Sequence, residues 1–328
     1  MLLYKGFRVL SIDGSTVQLP FTEELIKKYG IFNNQKKTND VVIARVSVLY
    51  DVLNDIVLEG KLCEFEKGEV TLSREHFQYA QKGDLIIMDR SYPSFESIYH
   101  LQQNQIHFLF RCKKHFSNEV KSFYQSRKKD EITELKPSQH KSFKGLPYDK
   151  NYTIPVRMLR VILPSGEVEI LMTSLLDKKE FSYQEFKTLY FKRWKVETFY
   201  NSFKNIIGVE HFSGTSNQFI QQEFNCALYM SNMQTIMSID ANKEIKELYK
   251  NRKYEYKVNT TLSLGFIRER LIRIFNQKKE SEKVLEELKE LFVKNVIPIR
   301  NGRKNKRDVD KYRQRIKPKQ FKNKRLFL

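Results

Sequence analysis

The chain has 328 residues, with 59 Lys and Arg against 39 Asp and Glu, a formal balance of +20. A hydrophobic share of 40% with 13% aromatics builds a sizeable core and excludes wholesale disorder. No window approaches the roughly 18 uninterrupted apolar residues of a membrane-spanning helix, and Met1–Leu10 is too short and interrupted for a secretory signal. The length allows two domains, or one large domain with an insertion. Three scattered cysteines (Cys63, Cys112, Cys226) and six dispersed histidines give neither a disulfide framework nor zinc-ligand spacing.

Taken in order, Phe7–Asp13 reads as a strand that ends in the turn signal Asp13-Gly14-Ser15, followed by the short apolar run Thr16–Leu19. Ala44–Tyr50, Asp55–Leu58 and Lys61–Phe65 read as strands paired around Asp51–Asn54, and Leu72–Tyr79 as a helix. Asp84–Asp89 is a continuous apolar strand, the pattern of a buried one. Pro93 opens a helix to about Gln103, and Ile106–Phe110 is a further strand. Residues 112–149 turn polar and basic, with Lys113, Lys114, Lys121, Arg127, Lys128, Lys129, Lys136, Lys141 and Lys144. Thr153–Leu163 and Val168–Leu175 form a β-hairpin. Helices follow at Tyr183–Ile207, Gln218–Ser238, Leu262–Phe275 and Ser281–Asn295. The order predicts a mixed α/β protein with a substantial insertion.

Charge is the first functional signal. Residues 301–328 hold 12 Lys and Arg against 2 Asp, half of the net charge, and the preceding 300 residues carry the rest. A polyanion explains both, because each neutralised phosphate releases condensed counterions. Nucleic acid is favoured over a membrane surface, since no stretch pairs a basic face with a long apolar one.

At 100° per residue, Tyr190, Arg193, Glu197 and Lys204 fall on one stripe about 60° wide. Leu189, Val196, Phe199, Phe203, Ile206 and Ile207 share the apolar face, and Trp194 lies outside it. A carboxylate flanked by two cations and a phenol suits a site holding a metal ion and a phosphate. An ordinary salt-bridged helix face is the plain alternative.

The pattern Tyr190-x-x-Arg193-x-x-x-Glu197-x-x-x-x-x-x-Lys204 resembles the Tyr-Arg-Glu-Lys signature of the insertion-sequence-four family of bacterial DDE transposases. Two further segments resemble the family in the same order: Leu10-Ser-Ile-Asp13-Gly14-Ser15, and Ile86-Ile-Met-Asp89-Arg90-Ser91-Tyr92, with Ser91 where the family usually has Gly. The resemblance implies an RNase H-like fold in which Asp13, Asp89 and Glu197 are catalytic and hold two Mg²⁺ or Mn²⁺ ions. It implies DNA contacts from Tyr190, Arg193, Trp194 and Lys204, and nicking, hairpin formation and strand transfer at insertion-sequence ends. The partners it implies are double-stranded DNA and a second copy on that DNA, in the bacterial cytoplasm at the nucleoid. A nuclease of the same fold without strand transfer, or an inactive DNA-binding relic, are the alternatives.

Taken singly, Asp13 suits turn chemistry and Asp89 a helix cap, while Asp51, Asp55 and Asp84 are local look-alikes. The expected division is 1–111 and 181–240 as the two parts of the catalytic core, with 112–180 a β-rich basic insertion. Residues 241–300 form a helical region and 301–328 a basic tail. The family usually carries a helical DNA-binding region ahead of its first Asp, whereas Asp13 here lies 12 residues from Met1. The expectation is a fragment, or end recognition placed elsewhere.

Overall fold

The computed structural model describes residues 1–33, 40–138, 143–276 and 278–300. Lys141 and the expected basic tail lie outside them. The strands are β1 (Val9–Leu19), β2 (Phe32–Asn33), β3 (Asp40–Asp51), β4 (Ile56–Glu64), β5 (Leu85–Met88), β6 (His107–Cys112), β7 (Asp130–Leu135), β8 (Ile154–Ile162), β9 (Val168–Thr173), β10 (Tyr256–Val258) and β11 (Val296–Pro298). The helices are α1 (Glu23–Tyr29), α2 (Glu69–His76), α3 (Phe95–Gln103), α4 (Asn118–Ser126), α5 (Tyr183–Phe191), α6 (Trp194–Ser202), α7 (Asn217–Leu248), α8 (Thr260–Asn276) and α9 (Lys278–Lys294).

Among the described residues, one large sheet runs β2-β3-β1-β5-β6-β9-β8-β7, with β4 paired to β3. Its centre is parallel, β1 with β5 and β5 with β6, and β6, β9, β8 and β7 continue it antiparallel. This mixed sheet with helices is the RNase H-like α/β architecture that the motifs imply. The segment after β6 holds a helix, α4, as well as strands, and β7–β9 extend the same sheet instead of forming a second one. β1 corrects one expectation: it runs unbroken through Asp13-Gly14-Ser15 to Leu19. Val9, Leu10, Ile12, Val17 and Leu19 are all buried, and pairing of a strand buried on both sides outweighs the local turn preference of Asp-Gly.

The chain divides into two compact units. The first comprises Met1–Ser15, Arg45–Lys61 and Glu66–Phe199; the second comprises Thr16–Ala44, Leu62–Phe65 and the residues from Tyr200 onward. In the first, one core cluster gathers Leu10 and Ile12 of β1, Ile86 and Met88 of β5, and Phe108 and Phe110 of β6. Ile98 and Leu101 of α3, and Val120 and Phe123 of α4, pack against them. Residues of β7, β8 and β9 join the same cluster, and each such side chain contributes about 1.5–3 kcal/mol on burial. In the second, α7 is a 32-residue helix, longer than the sequence expectation by about three turns.

Candidate active site

The parallel pairing of β1 with β5 sets Leu10 opposite Ile86 and Ser11 opposite Ile87. Two residues further along both strands stand Asp13 and Asp89. The register thus brings the first two predicted carboxylates level on neighbouring strands, at the carboxyl end of their pairing, where open α/β sheets place their ligands.

Asp13 Oδ1 accepts from the Gly14 N–H at 3.0 Å and from the Tyr92 hydroxyl at 3.4 Å. A Cβ at Gly14 would stand 3.3 Å from Glu69 Oε1 and 3.4 Å from the Tyr92 hydroxyl, so a close approach, not a turn, calls for glycine here. Glu69 is held in turn by Arg45 at 2.6 Å. Asp89 Oδ1 accepts from the Tyr190 hydroxyl at 3.3 Å and faces Arg111 Nη1 at 3.8 Å. The same Arg111 nitrogen pairs with Glu169 at 2.8 Å. Asp89 does not cap α3, because Ser94 does, accepting from the Ser97 N–H at 3.1 Å.

The look-alikes are otherwise engaged. Asp51 binds its own turn through the N–H groups of Leu53 and Asn54, Asp55 pairs with Lys195, and Asp84 takes a two-pronged grip from Arg8.

The expected single helix over Tyr183–Ile207 is interrupted. α5 ends at Phe191, Lys192 and Arg193 form a turn, and α6 starts at Trp194. Through the break the N–H groups of Lys192, Arg193, Lys195 and Val196 each reach back only three residues, the tighter 3₁₀ pattern common at functional joints. Residues 203–207 then widen into a π-helical turn. The straight wheel therefore does not describe the signature residues, although its apolar face is correct: Leu189, Val196, Phe199, Phe203 and Ile207 are buried.

The break aims Arg193 inward. Its Nη2 donates to Glu197 Oε1 at 2.7 Å, its Nη1 lies 3.6 Å from Asp13 Oδ2, and its Nε is buried with no partner. The guanidinium also interacts electrostatically with Asp89 and Tyr190. Asp13 and Glu197, far apart in sequence, thus meet on one cation, while Asp89 is held by Tyr190 and Arg111 and adds only to the field around that cation. Trp194 is 44% exposed, its ring centroid 5.6 Å from the Arg193 Cζ. Lys204 lies on the π-helical turn, in the second unit.

Burial sets the electrostatics. It pushes the Asp13 carboxyl up to about 6, against the opposing pull of Arg193. Burial raises the Tyr190 and Tyr92 phenols, which stay protonated as hydrogen-bond donors. Glu169 is likewise raised by burial, against Arg111. For Arg193, burial would lower the value, but Tyr190, Glu197, Asp13 and Asp89 hold it raised and charged.

The donor set suits a divalent cation in kind: three hard carboxylates, two of them within reach of a single positive charge. The arrangement does not yet form a cage. Among the described residues, no three Asp, Glu, His or Cys side chains stand close enough to share an ion; Arg193 is bonded to Glu197 and lies 3.6 Å from Asp13. The second ring of residues, Tyr92, Arg45, Glu69, Arg111 and Glu169, escaped the sequence reading. Only Tyr92 had a local signal, inside Asp89-Arg90-Ser91-Tyr92; the others meet the site through sheet and helix packing that no short spacing encodes.

No curated protein matches the chain. A cryo-EM structure of the piggyBac transposase synaptic complex with hairpin DNA is similar at 12% identity and a TM-score of 0.48, covering 93% of this chain and 62% of that one. The chain thus spans less than two thirds of the length of that protein. The family described as "Transposase DDE domain" matches residues 4–233, more than two thirds of the chain and all of the site residues above. A match over that much of the chain shows the family: this chain belongs to the transposase DDE domain family.

Proposed function

We propose that the chain performs phosphoryl transfer on DNA at the ends of a mobile element, with Asp13, Asp89 and Glu197 as the catalytic carboxylates. The observation that supports this reading most is the sharing of Arg193 by Asp13 and Glu197 beside Asp89's end of β5, within a chain of the transposase DDE family. The Tyr-Arg-Glu-Lys spacing further suggests the insertion-sequence-four branch.

DDE domains generally use divalent metal ions. Mg²⁺ or Mn²⁺, two per site, held by the three carboxylates, would neutralise charge on the attacking and leaving oxygens. The chain's own residues do the positioning. Arg193 presents a planar fork suited to two phosphate oxygens. When a phosphate takes that fork, Glu197 and Asp13 lose their present partner and are freed as ligands. Tyr190 donates from a phenol that burial keeps protonated. Trp194 offers an exposed ring beside the DNA end, and Lys204 supplies a further phosphate contact. In this reading a nick frees a 3′-hydroxyl, hairpin formation and joining to target DNA follow, and a dimer on DNA brings two ends together.

The test is a nicking assay on duplex DNA with Mg²⁺ or Mn²⁺, wild type against Glu197→Gln. Loss of cleavage by at least 100-fold in the variant, with fold and DNA binding unchanged, is expected. Equal cleavage by both proteins overturns the assignment. Joining of pre-cleaved ends to a second duplex separates transposition from simple nuclease activity.

A further inference from the structure

At the far end of α7, Tyr249 caps the helix and the chain turns through residues 250–255 into β10, which pairs antiparallel with β11. The ribbon is anchored to α7 where the Val258 N–H donates to Asn242 Oδ1 at 3.0 Å, and Val258 itself is buried. Between ribbon and helix lies a concavity of about 590 Å³, wholly within the second unit.

Five cations line it, Lys246, Lys250, Arg252, Lys253 and Lys257, against two carboxylates, Glu247 and Glu255. Among the described residues, only Lys250 has a carboxylate within 4.0 Å, an outward pair with Glu247. Several surface cations elsewhere in the same unit are matched: Lys289 with Glu244 and Glu286, Lys294 with Glu290, Arg270 and Arg273 with Glu287. The negative end of α7 accounts for cations in or just after its last turn, Lys246 and Lys250. It does not account for Lys253 and Lys257 further along.

Three tyrosines line the same concavity. The Arg252 guanidinium stacks 4.5 Å from the Tyr249 ring centroid and 5.5 Å from that of Tyr256, and Arg300 lies 6.0 Å from that of Tyr254. Stacking fixes the Arg252 fork in place without neutralising it. A concave surface with more cations than carboxylates, one guanidinium fixed by stacking and tyrosine rings beside it suits a run of phosphate oxygens. Beyond Arg300 the sequence continues into the stretch with 12 Lys and Arg against 2 Asp, so positive charge accumulates along the chain here.

We infer that this concavity grips the phosphate backbone of duplex DNA, independently of the catalytic carboxylates. The inference rests on the reading that the chain acts on DNA and adds a second contact surface to it.

The test measures binding of the full chain to a labelled duplex of arbitrary sequence, without divalent ions, over a salt series. Each lost phosphate contact lowers the slope of log K against log salt by about 0.9. Arg252→Gln/Lys253→Gln/Lys257→Gln should reduce the slope by about 2–3 and weaken low-salt binding at least tenfold. Lys253→Gln/Lys257→Gln, which leaves the Tyr249–Arg252 stack intact, should reduce the slope by about 2. Lys294→Gln, a cation of the same unit already paired with Glu290, should change neither quantity. Unchanged slope and affinity in both patch variants, or a deficit seen only with single-stranded DNA, overturns the inference. Nicking fails separately: a wild type that does not cleave but whose patch variants lose salt dependence refutes the catalytic reading and keeps this one.

Discussion

Arg193 Nη1 lies 3.6 Å from Asp13 Oδ2, while Nη2 of the same guanidinium donates to Glu197 at 2.7 Å. A residue on a helical break thereby links a carboxylate of the central sheet to one on the following helix. Arg193 is itself 5% exposed, so its charge is balanced almost wholly by these acids. Removing one partner of a buried pair leaves the other uncompensated, which costs more than the pair contributes.

Arg193→Met should therefore destabilise the protein without divalent ions by about 2 kcal/mol, tempered because Glu197 is partly exposed. Millimolar Mn²⁺ should restore the variant's melting temperature and raise it by more than it raises that of wild type. Equal Mn²⁺ shifts in the two proteins would show that the guanidinium does not compete for the carboxylates.

Asp13 gives a pH signature. Its carboxyl rises from the ordinary 3.8 to about 6, so between those values the native state holds a proton that the unfolded chain has released. Stability from this residue is then full below pH 4, declines as pH rises to about 6, and is flat above. Asp13→Asn removes the burden, so its stability relative to wild type should improve across that interval by about 2 kcal/mol. Chemical denaturation from pH 4 to 8 checks the direction; a variant that loses relative stability as pH rises contradicts it.

Arg157 holds the approach to α5. It is buried, grips Asp130 with two hydrogen bonds of 3.0 and 2.6 Å, donates to the Phe181 carbonyl at 2.8 Å, and stacks on Phe186. Arg157→Lys cannot reproduce the fork and should cost about 3 kcal/mol, a loss in denaturation midpoint that Arg193→Lys does not match.

Ser47 of β3, His76 of α2 and the half-buried Glu59 of β4 stand in a row, with Ser47 Oγ hydrogen-bonded to His76 Nε2 at 2.9 Å and His76 Nδ1 2.5 Å from Glu59 in a contact without hydrogen-bond geometry. The spacing resembles a nucleophile–base–acid triad, yet Ser47 and His76 are both buried. The row pins α2, and so Glu69, to the sheet. His76→Ala should cost about 2–4 kcal/mol, and Ser47→Ala should leave any DNA cleavage intact; a cleavage defect from Ser47→Ala would assign the row a chemical role.

The sequence made the strands leading to Asp13 and Asp89 legible because short apolar runs such as Leu85–Met88 are bounded by turn signals, whereas it singled out Glu197 only by motif order. It misread Asp13-Gly14 as a turn, since local propensity is blind to the flanking buried strand. It drew Tyr183–Ile207 as one straight helix, because no Pro or Gly marks the break at Lys192-Arg193 and all its residues tolerate helical geometry. The partners Arg45, Glu69, Arg111 and Glu169 were invisible, since each reaches the site from another element through contacts of long sequence separation. The excess of cations at residues 246–257 was legible only as part of the overall charge until α7 and the β10–β11 ribbon folded it into one hollow.

The break before α6 divides the three acids by mechanical character. Asp13 lies within β1 and Asp89 directly after β5, so the pairing of two neighbouring strands sets their spacing. Glu197 sits in the first turn of a short helix that starts after a tight 3₁₀ turn and runs into a wide π-helical one. Its reach toward the other two acids is therefore governed by the pitch of two irregular turns, not by strand register.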